Sequence, residues 1–202
     1  MSATDPNRRP GTCSPAGIQA EVAVDSAAYA QAARRRFQAT LGAIDSLQAP
    51  VLDLGPPNAL ARELQRRFGV AIENTGTYDL DRERLGDLRP GPYATITSFE
   101  VLEHLMNPLF VLDGSRDILR PDGVLLLSVP RRNSWEWLFG KCAEHFHEFA
   151  PDELRWLLDK AGFEVLRWEE HGTSELGPGI RPLLRRLIRN LIFVRCRPRP
   201  RP

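Results

Sequence analysis

The chain has 202 residues, with 27 Lys plus Arg against 26 Asp plus Glu and a formal charge of +1. That length suits one domain of ordinary size with tails, and the balanced charge excludes a general electrostatic pull toward nucleic acid or anionic membrane. Cys13, Cys142 and Cys196 are an odd, widely spaced set, which excludes a zinc-finger or disulfide framework and points to a reducing cytosol.

The first seventeen residues, MSATDPNRRPGTCSPAG, lack the apolar core of a signal peptide, and the longest strongly apolar run, Val124–Val129, is too short to span a bilayer. Residues 1–24 are rich in Pro, Gly, Ser and Thr without an apolar period, and are expected to be a disordered tail. Ser26 can cap a helix whose apolar side runs through Tyr29, Ala33, Phe37, Leu41, Ile44 and Leu47. Arg34, Arg35 and Arg36 fall mostly on its wet side.

Pro50 introduces VLDLG, a short strand ending in glycine, and Asn58 caps a helix carrying Leu60, Leu64 and Phe68 before the stop residue Gly69. Val70–Glu73 reads as a second strand and Ala94–Phe99 as a third. Asn107–Pro108 opens a helix to about Leu119, Pro121-Asp122-Gly123 makes a turn, and Val124–Val129 is a fourth strand. Pro151, Asp152 and Glu153 start a helix with Leu154, Leu157, Leu158 and Ala161 on one face and Gly162 after its end. Phe163–Trp168 is a strand, Ile180–Arg189 a basic helix and Leu191–Cys196 a last strand, ahead of the Pro-Arg tail 198–202. Apolar strands alternating with amphipathic helices imply a three-layer α/β, Rossmann-like doubly wound sheet, mostly parallel and covered on both faces.

Ligands in such folds bind at the carboxyl ends of the strands, and three of these ends carry candidate chemistry. Asp53 and Gly55 follow the first strand. Glu73, Asp79 and Asp81 lie at and after the second, where only about twenty residues precede the next strand, too few for a full helix-and-strand unit. The sheet is therefore expected to be shortened there. Phe99 ends the third strand, and Glu100, Glu103 and His104 follow with the i, i+3, i+4 spacing that places them on one face of a helical turn. The later HFHEF adds His145, His147 and Glu148.

The blocks VLDLG, TITSFEVLEHL and LRPDGVLLLSVP, in this order, resemble the S-adenosylmethionine-dependent class I methyltransferases, a group that includes the ubiquinone-biosynthesis O-methyltransferases. The resemblance covers roughly residues 50–165. It implies a methyltransferase domain over residues 25–197, with the last strand antiparallel beside the fifth. It implies an enzyme moving the sulfonium methyl to an oxygen of a small molecule. Asp53, Gly55, Glu73, Asp79 and Phe99 would bind the cofactor, and His104 or His145 would act as base. Pro57 and Ala59 stand where the family usually has glycines, and proline supplies neither a left-handed turn nor a backbone donor. A scaffold that kept the fold without the cofactor is the alternative from another class.

Small-RNA 3′-end 2′-O-methyltransferases carry a similar Glu…Glu-His with a later His as a magnesium site. By that resemblance Glu100, Glu103, His104 and His145 form a magnesium site; the other reading gives Glu100 and His104 purely structural duties. Trp135, Trp137, Trp156 and Trp168 read as core and rim packing. From Leu176 onward there is no acid, while Arg181, Arg185, Arg186, Arg189, Arg195, Arg197, Arg199 and Arg201 fall there. Without interleaved aromatics these read as a solvated face rather than a nucleic-acid surface.

Overall fold

The computed structural model of the chain describes residues 27–132, 145–172 and 190–200, with side chains from Arg34 onward. The expected tail 1–24, the cap Ser26, the stretch Asn133–Glu144 with Trp135 and Trp137, and the basic helix Ile180–Arg189 lie outside the described residues.

Six strands form one sheet: β1 Val51–Asp53, β2 Ile72–Asn74, β3 Tyr93–Phe99, β4 Leu119–Pro130, β5 Phe163–His171 and β6 Leu191–Pro198. Their order is β2-β1-β3-β4-β6-β5. β1 runs parallel to β2 and β3, and β3 parallel to β4. β6 is antiparallel to both β4 and β5, inserted between them.

The helices are α1 Ala27–Ala43, α2 Ala59–Phe68, α3 Leu85–Leu88, α4 Pro108–Ile118 and α5 Pro151–Lys160. Their ends follow the local chemistry. The Asn58 side chain accepts from the Ala61 amide at the start of α2, and Gly69 closes it in the left-handed region at φ 65°. Asn107 caps α4 with proline at its first position, and the Glu153 carboxylate reaches back to the Ala150 amide at the start of α5.

Strand alternation sends the core to both faces of the sheet. Leu52, Ile96, Leu125, Leu127, Ile192 and Val194 pack with Val111 and Leu112 of α4 and Leu154 and Leu158 of α5. Val51, Leu126 and Phe193 face the other way, against Ala43 of α1 and Leu60 and Leu64 of α2. This is the three-layer arrangement, and between β2 and β3 it holds only the four-residue α3.

Several boundaries differ from the sequence reading. α1 stops at Ala43, and Ile44 and Leu47 are buried from the segment that follows it. β2 begins at Ile72 rather than Val70. Pro121–Gly123 is not a free turn: β4 starts at Leu119, paired with Tyr93, and absorbs these residues through a register shift before Thr95 meets Val124. Trp156 is 82% exposed, because it lies on the α5 face opposite Leu154 and Leu158, whereas Trp168 is half-buried beneath the Arg155 guanidinium, 3.9 Å from the ring centre.

Phe193, on the interior strand β6, is 1% exposed in the core cluster it shares with residues of α1 and α2. Phe193→Ala should cost about 3–5 kcal/mol of unfolding free energy, measured as a lower denaturant midpoint at unchanged slope.

Candidate active site

The carboxyl ends of β1, β2 and β3 lie side by side, and one buried carboxylate links them. Asp53, 3% exposed, pairs in register with Asn74 of β2 and Thr97 of β3. The Thr97 hydroxyl donates to its Oδ1 at 2.6 Å, and the Asn58 and Asn74 amides donate to Oδ2 at 3.3 and 3.1 Å. Burial pushes the Asp53 carboxyl up to about 7, against the lowering effect of these three hydrogen bonds.

Two residues beyond Asp53, Gly55 takes φ 110° with open space where a side chain would stand. Its amide donates to the Thr75 hydroxyl at 2.7 Å, and its carbonyl accepts from the Gly76 amide at 3.1 Å. Pro57 is tolerated because Asn58 stabilises the loop, donating to the Pro56 carbonyl while capping α2. Phe99 is half-buried at the end of β3. Asp53 pairs with Thr97, so the chain leaves β1 for the Gly55 loop beside the point where β3 continues two more residues to Phe99.

The acids after β2 are divided. Glu73, opposite Leu52, is turned away from the Asp53 cluster and accepts from the Tyr93 hydroxyl at 2.9 Å. Asn74 therefore holds the inward position at the strand end. Asp79 remains in the following loop, half-exposed, capping the Asp81 amide at 3.1 Å. Asp81 is engaged by the amides of Met106 and Asn107 at 3.0 and 2.8 Å, fixing the entry to α4.

A second acidic cluster follows β3. Glu100 donates its amide to Ser128 of β4 and adopts φ 56°, a left-handed conformation that side chains other than glycine seldom take and that concentrates at functional sites. Its carboxylate is held by the Arg36 Nε of α1 at 2.7 Å. Arg36, expected on the wet side of its helix, is thus drawn inward, its side chain 22% exposed. Burial raises the Glu100 carboxyl, and Arg36 opposes that shift.

Leu102–His104 forms a short 3-10 turn that carries Glu103, fully buried, with neither carboxylate oxygen hydrogen-bonded among the described residues. Burial first, and the Glu100 charge second, hold its carboxyl well above the usual range. The Glu103 carbonyl accepts from the amides of Phe146 and His147 at 2.9 and 3.1 Å. These bonds dock the 145–149 segment on the turn and set the His145 ring edge-on to His104, with centroids 4.9 Å apart. His147 instead stacks on Phe149 and faces the Met106 carbonyl. Phe146, His147 and Phe149 also line a cavity of about 820 Å³ with Arg132, Glu153 and Trp156.

The site residues that patterns in the sequence did not single out are Arg36, Asn74, Thr75 and Thr97. Thr95, Thr97 and Ser98, three hydroxyls on one buried strand, were the visible signal that β3 carries polar positions inside the sheet.

The methyltransferase-domain family matches residues 26–167. A ubiquinone biosynthesis O-methyltransferase of Pseudomonas aeruginosa is 29% identical over 128 residues, 56% of this chain and 54% of that protein. The chain spans about half the length of the curated relatives it matches. Among solved structures, a chain of the complex between the Haloferax volcanii Trm112 methyltransferase activator and a methyltransferase superposes with TM-score 0.63 at 15% identity, covering 86% of this chain and 96% of that one. An S-adenosylmethionine-dependent methyltransferase from Mesorhizobium loti gives TM-score 0.51 at 14% identity, covering 81% and 97%.

The unfolded chain releases the Asp53 proton near 3.8 and the folded one near 7. The folded state therefore binds the extra proton between these values, and its stability falls as pH rises through them. Relative to Asp53→Asn, the wild-type protein should lose on the order of 4 kcal/mol between pH 4 and 7, read from urea unfolding at successive pH values.

Proposed function

This chain belongs to the class I S-adenosylmethionine-dependent methyltransferases, and on that premise we propose that it methylates an oxygen of a small molecule. The observation that carries the reading is the open Gly55 loop at the carboxyl end of β1, beside the carboxyl end of the parallel strand β3 that carries Phe99, with the His104–His145 ring pair beyond it. That is where a doubly wound sheet receives its ligand.

When bound, S-adenosylmethionine would supply an electrophilic sulfonium methyl. The protein's work is positioning. The Gly55 loop would bring its own backbone close to the cofactor, and Asp53 keeps that loop in register through Asn58. Phe99 would line the adenine and Asp79 would hold the ribose hydroxyls. Glu73 is excluded from this role by its bond to Tyr93. His104 or His145 receives the proton from the acceptor hydroxyl, since an imidazole titrates near neutrality.

The 820 Å³ cavity beside the 145–149 segment has the size of a small-molecule pocket, about 300–1,000 Å³, and supports an acceptor of that class. Arg197 and Arg199 are paired with Glu164 and Asp159 at 2.8 and 2.6 Å. That pairing supports a structural use of the basic C-terminal stretch over nucleic-acid binding.

Titration calorimetry with S-adenosylhomocysteine should give one site per chain. Gly55→Val, which forces a branched side chain into φ 110°, should weaken it by roughly tenfold or more, about 1.4 kcal/mol. Absence of heat from the wild-type protein at millimolar ligand would sink the enzyme reading and leave a fold kept as a scaffold.

A further inference from the structure

We propose that the outer edge of β5 pairs with the same edge of a second copy of this chain, antiparallel about a two-fold axis at Trp168, so that two sheets become one. The inference stands on the edge itself and is independent of the methyltransferase reading.

β5 is the end strand of the sheet and is 9 residues long, and among the described residues no strand lies on its outer side. Such an edge presents a row of backbone donors and acceptors and is a template for pairing. Two hydrogen bonds fix which residues point outward. The Arg131 amide donates to the Asn190 carbonyl, and the Arg199 amide to the Gly162 carbonyl, so even-numbered residues of β6 face β4 and odd-numbered ones face β5. Arg167, Glu169 and His171 pair with Arg195, Phe193 and Leu191, and so direct their backbone groups to β6. Trp168, between them, turns its N–H and C=O to the outer edge.

The charges on this edge select its partner. A two-fold axis normal to the sheet keeps each side chain on its own face, so the pairing is centred on a residue. Centred on Trp168, it sets Arg167 opposite the partner's Glu169 on both sides of the axis. These are non-hydrogen-bonded pairs, with Cα atoms about 4.5 Å apart and side chains in closest approach. Within one chain Arg167 already binds Glu169 and Asp45; a guanidinium has several donors, so the second carboxylate extends that network. Moving the centre to position 167 sets Arg167 against Arg167. Moving it to position 169 sets Glu169 against Glu169 and Arg167 against His171. Like charges directly opposite are destabilising, so the edge resists these registers and unrelated strands while fitting its own copy.

Sedimentation equilibrium of the full chain should give the mass of two chains at the upper end of a concentration series. Arg167→Glu and Glu169→Arg should each weaken association roughly tenfold or more, and the charge-exchanged Arg167→Glu/Glu169→Arg chain should regain it. Cross-linking reads the register. With Cys13→Ser and Cys142→Ser in place and Cys196 buried, Trp168→Cys sets two thiols opposite each other at a Cα separation of about 5.5 Å, within disulfide range. Mild oxidation should then yield a covalent dimer, whereas Leu166→Cys should stay monomeric. Where Trp168→Cys does not fold, the charge exchange decides alone. A single-chain mass at every concentration, a dimer that survives both charge reversals, a charge-exchanged chain that folds yet stays monomeric, or cross-linking through Leu166→Cys in preference to Trp168→Cys would each overturn the proposal.

Discussion

A carboxylate removed from water at the end of the first strand organises the upper edge of this sheet. Asp53 is reached by Thr97 from one neighbouring strand, Asn74 from the other and Asn58 from the loop above. Each donor is neutral, so the group is solvated by the protein without being charge-paired, and its proton is held near neutrality. The three strands could slip relative to one another only by leaving it unsatisfied. Gly55, Phe99 and the turn that follows β3 inherit their relative heights from this register. The Gly55 loop is therefore shaped from beneath by side chains, which explains how it keeps an open glycine although two prolines follow it.

A second constraint acts at the end of β3, where two acidic side chains, one half-buried and one fully buried, lie close together. Arg36 answers one of them across 64 positions of sequence, and in doing so it fastens α1 over the sheet. The other, Glu103, has no hydrogen-bond partner for its oxygens among the described residues and lies 3.9 Å from the His104 ring nitrogen. The left-handed backbone at Glu100 is the geometric means by which the first carboxylate turns toward α1 while the second points inward.

Most of the fold was legible because it is written in local signals. Asn58, Gly69, Asn107, Pro108 and Pro151 mark helix ends through short-range hydrogen bonds and fixed dihedrals, and the structure uses them as such. Boundaries failed where tertiary pairing overrode local preference. Pro121-Asp122-Gly123 has the composition of a turn, yet the demand of Tyr93 for a partner extends β4 through it. The short span between Glu73 and β3 did announce the reduced unit there. At the site, residue types near the strand ends were visible, but their directions were not. Glu73 and Asn74 differ by one position, and alternation along β2 alone decides which turns toward Asp53. Arg36 was unreadable, since its helix spacing assigns it to solvent and only a distant carboxylate reverses that assignment.

The position of β6 has a consequence for how the molecule is made. Leu191–Val194, almost wholly excluded from water, fill the gap between β4 and β5, and Cys196 meets Leu125 across 71 positions of sequence. Two strands synthesised earlier must therefore wait with facing edges open until this one emerges from the ribosome. During that interval the nascent chain exposes pairing groups and apolar surface of the kind that recruits chaperones or mispairs with other chains. Closure of the sheet is thus a late, long-range event, and topologies of this sort fold slowly for their size. The timing of synthesis through residues 191–198, as much as the strength of any contact, sets how much chain reaches the native state.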